Sequence, residues 1–183
     1  MQRVWDPLVR ALHWLLAAAV LTSWISGQWP EAVGGRFDRI HHGAGYVALA
    51  AVTIRLLWGF VGRGHARFAR FVRGPRATWT YARRLCAARE PRHLGHNPLG
   101  GWMVLGLLTS SAAASVTGML YIGDWLWGYQ WLADLHAALA WLIMALVLAH
   151  WMGVAFTSWR HRENLVGAMI SGDKRAARRD DIA

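Results

Sequence analysis

Histidines are the residues of this chain best suited to chemistry: there are nine, and five fall within or beside long apolar runs. These five are His13, His41, His42, His136 and His150. An ionisable side chain inside a membrane is costly and usually marks a function, although a lone histidine there often only bonds a neighbouring helix. The single cysteine, Cys86, excludes disulfides, cysteine-based zinc or iron–sulfur sites and covalent haem attachment through CxxCH.

The composition indicates a membrane protein. Apolar residues make up 55% of the 183 residues and charged residues only 16%, against about a quarter in soluble domains. The net charge of +10 at pH 7 is concentrated in two clusters separated by almost uncharged apolar runs. A nucleic-acid-binding protein would spread its basic residues over a polar face, so a nucleic-acid partner is excluded. Disorder is excluded as well, because so apolar a chain can bury a core.

Four apolar stretches are long enough to cross about 30 Å of hydrocarbon as helices. They cover approximately residues 8–26, 41–61, 101–122 and 135–156. Asp6 and Pro7 form a start signal for the first helix, and no small-residue cleavage site follows it, so we interpret it as a retained span. The predicted fold is therefore all-α, a single-domain integral membrane four-helix bundle over residues 1–183.

The charges of the loops predict the orientation in the membrane. An Arg-rich loop, residues 63–98, carries nine arginines against the single acid Glu90. Positive loops stay in the cytoplasm, so both termini are predicted to be cytoplasmic. The two outward connections contain few charges: Glu31, Arg36, Asp38, Arg39, Asp124 and Asp134. We expect the Arg-rich loop to lie on the inner leaflet with Trp79 and Tyr81 dipping into lipid, and the basic tail, residues 165–183, to fray.

The membrane histidines fall at two depths. His41 lies two residues inside Arg39, and His136 lies two inside Asp134, which puts both at a shallow outer level. His13 lies sixteen residues from Trp29, and His150 sixteen from Asp134. At 1.5 Å per residue these two share an inner level about 24 Å deep.

The spacing on the last helix suggests a cofactor at each level. His136 and His150 are fourteen residues apart, which is within 40° of four helical turns, so both leave one face about 21 Å apart. Each level can then pair one of them with a histidine of another helix, His41 at the outer level and His13 at the inner one. Neutral imidazoles suit haem iron, and the flat ring buries its apolar faces between helices. The pattern predicts two bis-histidine haem b groups stacked across the bilayer.

Arg55 and His96 are further candidates for cofactor binding. Arg55 follows His41 by fourteen residues in an apolar span, and a haem propionate would supply the anion that a buried guanidinium needs. The alternative is that Arg55 snorkels to the inner headgroups. His96 opens the segment HNPLGG, where it could touch the inner haem or a quinone, or simply cap the next helix. His42 is turned about 100° from His41, which favours His41 as the ligand and leaves His42 as the alternative.

Several segments together resemble one known family. They are WDPLVRALHW, HHGAGY, RLLWGFVG and HNPLGG, with the His-x13-His pair of the last span. This combination, from Trp5 to about Lys174, is similar to the bacterial cytochrome b561 family, and within it to the hydrogenase-type cytochrome b subunits. Relatives often have one histidine before the Gly-Tyr pair, where this chain has two.

The resemblance implies a four-helix dihaem protein of the bacterial inner membrane. Such a protein passes electrons between the quinone pool and a periplasmic redox protein, either a hydrogenase small subunit or a cytochrome c. The resemblance carries four residues over as axial ligands: His13, His41, His136 and His150.

Two other functions compete with this interpretation. A stand-alone superoxide:quinone oxidoreductase is known within the family, and the outward Arg36 and Arg39 could steer an anion, although Asp38 and Glu31 oppose them. A haem-free transporter or anchor belongs to another class, but the sequence lacks the repeated halves and broken helices typical of transporters. A zinc enzyme would need a cluster such as HExxH, which the chain does not contain.

Overall fold

Four long helices dominate the computed structural model, which describes residues 1–123, 126–177, 181 and 182. They are α1 (Pro7–Gln28), α3 (Gly43–Val61), α6 (Pro98–Ile122) and α7 (Gln130–His161). The short helices are α2 (Pro30–Val33), α4 (Phe68–Phe71), α5 (Pro75–Cys86) and α8 (Leu165–Ser171). The strands β1 (Gln2–Arg3) and β2 (Asp173–Lys174) pair antiparallel. Asp124, assigned above to an outward connection, lies outside the described residues.

The four predicted spans are confirmed as helices, and their ends differ in two places. A π-helical turn, Asp38–His42, precedes α3, where the sequence suggested a regular helix from residue 41. The fourth helix is 32 residues long and extends five residues beyond each predicted end. It ends where Arg162 adopts a left-handed conformation with φ of 50°, a conformation that does not continue a right-handed helix.

The surfaces of these helices suit lipid and not water. All four are long and apolar enough to cross a membrane, and no more than 28% of any apolar stretch is buried. Phe60 is 69% exposed and Trp141 is 60% exposed, and many other large apolar side chains on the spans are exposed with them. A soluble protein rarely exposes continuous apolar surface of this extent. The prediction of a membrane protein with four apolar helices is confirmed.

The start of α1 follows the capping rule. The Asp6 side chain accepts hydrogen bonds from the backbone N–H groups of Leu8, at 2.8 Å, and Val9, at 3.2 Å. These donors lack partners within the helix, so the carboxylate satisfies two of them and fixes where the helix begins.

The chain divides into two compact units. The first unit comprises Met1–Arg10, Leu57–Gly106 and Leu148–Ala183, and the second comprises Ala11–Leu56 and Leu107–Val147. In the second unit, small and apolar side chains of the spans are buried: Ala19, Ala48, Ala51, Val52, Leu108 and Ile143. The rings of Trp24 and Trp141 meet edge to face there, with centroids 4.6 Å apart.

The Arg-rich loop belongs to the first unit and contains the short helices α4 and α5. Trp79 on α5 is 67% exposed, as expected of a residue that faces lipid headgroups. The expectation for Tyr81 is wrong: it is buried, with its ring 5.3 Å from that of His93. Burial, together with the negative charge of Glu90, raises the pKa of Tyr81 to about 12.

The chain after Asn164 is ordered over most of its length, so the expectation that it frays is wrong. The Asn164 side chain accepts a hydrogen bond from the Gly167 N–H at 2.7 Å and caps α8. Pairing of β2 with β1 then ties this segment to the N-terminus. Lys174 is buried, and its ammonium group donates to the carbonyls of His93 and Leu94.

The first unit contains a buried cluster of oppositely charged side chains. Arg92 contacts Glu163 and Asp181 at 2.5 Å each, and Lys174 lies 3.3 Å from Glu163. All four side chains are at most 7% exposed, and their formal charges cancel. Burial alone raises the pKa of the Glu163 carboxyl, but hydrogen bonds and charge from Arg92 and Lys174 bring it below its ordinary value of 4.5.

The replacement Glu163→Gln should destabilise the protein by about 3 kcal/mol, because the carboxylate that contacts both Arg92 and Lys174 would be lost while both cations stay buried. Tryptophan fluorescence during thermal unfolding in detergent measures the loss. Glu31→Gln is the control, since Glu31 is exposed.

The same ion cluster predicts how stability depends on pH. Since the folded-state pKa of Glu163 is lowered, its stabilising contribution is complete above the unfolded-state pKa. It is lost as the pH falls through the folded-state value. The wild type should therefore lose more stability below pH 4.5 than Glu163→Gln does. Equal unfolding temperatures for the wild type and both variants would contradict the assigned role.

Candidate functional site

His41 lies in the π-helical turn at the start of the second span. Its Nδ1 is 3.0 Å from the carbonyl oxygen of Ser23 and 3.1 Å from the Ser26 hydroxyl, both on α1. The ring of Phe37 stacks on it, with centroids 5.0 Å apart and an interplanar angle of 12°. Because a carbonyl only accepts hydrogen bonds, Nδ1 carries the hydrogen and Nε2 carries the lone pair. π-helical turns are frequent at functional sites.

His136, on α7, is held in the same way by α6. Its Nδ1 is 3.0 Å from the carbonyl oxygen of Ala114 and 3.2 Å from the Thr117 hydroxyl. The carbonyl again requires the hydrogen on Nδ1, so the lone pair is on Nε2. A metal-binding histidine almost always donates its second ring nitrogen to such a partner.

The two rings lie close together in the second unit. Their centroids are 6.1 Å apart, with an interplanar angle of 72°. An imidazole nitrogen lies about 2 Å from a bound metal, and the ring centre lies about 1.2 Å further away. Two imidazoles on opposite sides of one metal ion therefore need centroids separated by about 6.4 Å, close to what the structure has. The pair fits two axial ligands of a haem iron.

A haem site and a metal site made only of side chains need different numbers of protein ligands. Among the residues described, no group of three or more His, Cys, Asp or Glu side chains could hold a metal ion. A metal bound only by protein side chains would need such a group. A haem needs just two protein ligands, because its macrocycle supplies the other four nitrogens.

His42 occupies a different position from His41. Its ring is 6.0 Å from that of His41, at an angle of 72°, and 6.1 Å from that of Phe37. The wide π-turn also changes the helical count from His41 to Arg55, because 100° per residue does not apply within it. His41 is therefore better distinguished from His42 by its contacts with α1 and with His136 than by its spacing from Arg55.

The remaining predicted site residues of the spans lie on α1, α3 and α7. His13, on α1, belongs to the second unit and has its ring 5.1 Å from that of Trp14. His150, on α7, belongs to the first unit, and both histidines are half-buried. Arg55 is only 6% exposed, the opposite of what a residue snorkelling to the headgroups would show.

His96 lies in the first unit between two aromatic rings. Its centroid is 4.8 Å from that of Trp5 and 4.5 Å from that of Phe71. The residue that caps α6 is Asn97, whose side-chain oxygen accepts from the Gly100 N–H at 2.7 Å. Capping by His96 is therefore wrong, and its contact with a haem or quinone stays a prediction.

Sequence reasoning missed the residues that hold the histidines. The Ser26 and Thr117 hydroxyls and the Ser23 and Ala114 carbonyls become partners only through helix packing. The one available signal was a hydroxyl residue followed by glycine in two apolar spans, and by itself this pattern is equally typical of plain helix packing.

The chain is similar to known proteins over most of its length. Three relatives are each 26% identical to this chain. "Probable Ni/Fe-hydrogenase B-type cytochrome subunit" is the name of a protein of Azotobacter chroococcum mcd 1, with 92% of this chain and 86% of the relative aligned. A protein of Rhizobium leguminosarum bv. viciae has the same name, with 97% and 90% aligned. "Probable Ni/Fe-hydrogenase 1 B-type cytochrome subunit" is the name of the Escherichia coli (strain K12) relative, with 98% and 83% aligned.

No solved structure matches this chain. Residues 4–172 match the family described as Prokaryotic cytochrome b561, which is nearly the whole length. The four apolar helices agree with the transmembrane character of the b-type, electron-transporting cytochromes of this family. The chain belongs to the prokaryotic cytochrome b561 family.

Proposed function

We propose that this protein carries electrons across the bacterial inner membrane through two bis-histidine haem b groups, connecting a periplasmic hydrogenase with the quinone pool. The observation that carries the proposal is the pairing of His41 and His136, with ring centroids 6.1 Å apart and each Nδ1 bonded to a helix carbonyl. Haem supplies reversible one-electron chemistry, and the protein supplies the ligands, the low dielectric and the charges that set the potential.

The second haem would be held by His13 and His150. This assignment is supported by their shared depth, by their half-burial on α1 and α7, and by the family resemblance. Arg55 would bind a propionate, since a buried guanidinium needs an anion with matching geometry. His96 would contact the inner haem or a quinone from its position between Trp5 and Phe71.

The choice of partner is supported by the relatives, which are named as cytochrome subunits of Ni/Fe-hydrogenases. A periplasmic cytochrome c is the alternative donor or acceptor. Nine arginines in residues 63–98 support a cytoplasmic position for that loop and for both termini. The outer haem then lies on the periplasmic side, where a hydrogenase can reach it.

The first test is the absorption spectrum of the purified protein. Dithionite reduction should produce the sharp bands of low-spin haem, and the pyridine haemochrome assay should count two haem b groups per chain. A colourless protein would refute the cofactor assignment and favour the haem-free transporter or anchor.

The second test concerns the partner. Hydrogen should reduce the haems in membranes that contain the hydrogenase and should not reduce them in membranes that lack it. Reduction by superoxide alone would favour the stand-alone oxidoreductase.

Substitution of single histidines separates the two haems. His136→Ala should remove mainly the outer haem and His150→Ala mainly the inner one, as each variant leaves one iron with a missing ligand. Both variants should still insert in the membrane, which size-exclusion chromatography of the apoprotein can check. His42→Ala is the matched control for His41→Ala. If His42→Ala lost a haem and His41→Ala kept both, the assignment of His41 would be wrong.

Arg55→Leu should lower the reduction potential of one haem, because a cation beside the ring favours the reduced state. Redox titration followed at the haem absorption bands measures the change. Arg63→Leu is the control, since Arg63 is exposed outside the spans. An unchanged titration would contradict the assignment of Arg55 to a haem propionate.

A further inference from the structure

Two helices present the same three-part surface to the paired histidines. Each surface has a backbone carbonyl, a hydroxyl three residues later and a glycine immediately after the hydroxyl. The parts are Ser23, Ser26 and Gly27 on α1, and Ala114, Thr117 and Gly118 on α6. Positions i, i+3 and i+4 share one helix face, so each set acts on one ring. We call each set a histidine cradle.

The hydroxyls in the cradles act as acceptors. Ser26 Oγ donates to the Thr22 carbonyl at 2.7 Å, and Thr117 Oγ1 donates to the Ala113 carbonyl at 2.9 Å. A hydroxyl has only one hydrogen, so its lone pairs face the imidazole Nδ1–H. Both residues are buried, Ser26 at 1% exposed and Thr117 at 8%. Each ring N–H is thus shared between a carbonyl and a hydroxyl oxygen.

The glycines set how closely each ring approaches its helix. A Cβ at Gly27 would lie 3.2 Å from His41 Cε1, and a Cβ at Gly118 would lie 3.0 Å from His136 Cε1. Both distances are tighter than ordinary van der Waals contact. Because Cε1 is bonded to Nε2, a side chain at either glycine would turn the ring and with it the nitrogen that carries the lone pair.

We propose that the two cradles orient His41 and His136 and set the reduction potential of the haem between them, an inference that rests on the proposed function. Oxygen acceptors on Nδ1–H make the imidazole a more basic ligand and stabilise the oxidised iron. The glycines fix the planes of the rings. The residues of the two cradles are positioning residues, which act on the cofactor through the histidines.

Redox titration of Thr117→Val and Ser26→Ala tests the hydroxyls. Valine matches threonine in shape, so the ring keeps its carbonyl bond and loses only the hydroxyl acceptor. Each variant should keep both haems and raise the potential of the outer one. The reduced-to-oxidised ratio at a fixed ambient potential should rise severalfold, where tenfold corresponds to 59 mV for one electron. Thr117→Ser and Ser26→Thr, which retain the hydroxyl, should restore the wild-type potential.

Thr53→Ala is the matched control for the hydroxyl variants. Thr53 Oγ1 donates to the Leu49 carbonyl of its own helix at 2.8 Å, as the cradle hydroxyls do, but Thr53 is exposed. Its replacement should leave both potentials unchanged. If Thr53→Ala shifted the outer potential as much as Thr117→Val does, the effect would be general and the proposal overturned.

Electron paramagnetic resonance of the oxidised protein tests the glycines. Gly27→Ala and Gly118→Ala should shift the g-values of the outer low-spin haem, which depend on the ligand planes, or release that haem alone. Gly35→Ala is the control, since a Cβ there meets nothing within 4 Å.

The outcomes separate the two proposals. A wild type without haem refutes the proposed function. A wild type with two haems whose outer potential and g-values do not move in any cradle variant refutes the cradles alone. A cradle variant that loses the outer haem still supports the proposal if the hydroxyl-retaining variant at the same position restores both the haem and its potential.

Discussion

The hydrogen bond from an imidazole Nδ1–H to a carbonyl of a neighbouring helix is the interaction on which the candidate site depends. Carbonyl oxygens have two lone pairs, so Ser23 and Ala114 can serve their own helices and a histidine together. The bond satisfies a polar group that would be costly to bury alone, and it selects the tautomer with the lone pair on Nε2. The backbone carbonyls of α1 and α6 thereby fix the tautomer of both candidate ligands.

A second constraint acts on the polar parts of the chain. In the first unit the Arg-rich loop and the segment after α7 are held by buried opposite charges, with Arg92 between Glu163 and Asp181. The exposed Arg160, on α7, also pairs with the buried Glu90 of the loop. Removing one carboxylate would leave a buried cation unbalanced, which costs far more than losing a pair on the surface. Internal pairing therefore uses Arg92, the buried arginine of the loop, while attraction of the exposed arginines to an anionic leaflet stays a prediction.

The sequence was sufficient to predict the features that depend on a single helix. The lengths of the apolar runs predicted the four spans, and Asp6 predicted the start of the first. Histidine spacing predicted that His41 and His136 share a level, and their rings do lie together. The patterns failed for Tyr81 and for the tail, because a basic or aromatic residue in a polar segment looks the same whether it faces headgroups or packs on the protein.

The sequence by itself determined the membrane character, the number of spans and the family, since these depend on the amount and spacing of apolar residues and on motifs within single segments. Only the tertiary structure decided how the paired histidines are held. A π-turn aims His41 at α1, and Ser26 and Thr117 become acceptors only because two helices approach closely at Gly27 and Gly118. Hydrogen bonds act over about 3 Å, so a partner from another helix exists only once packing brings the two together.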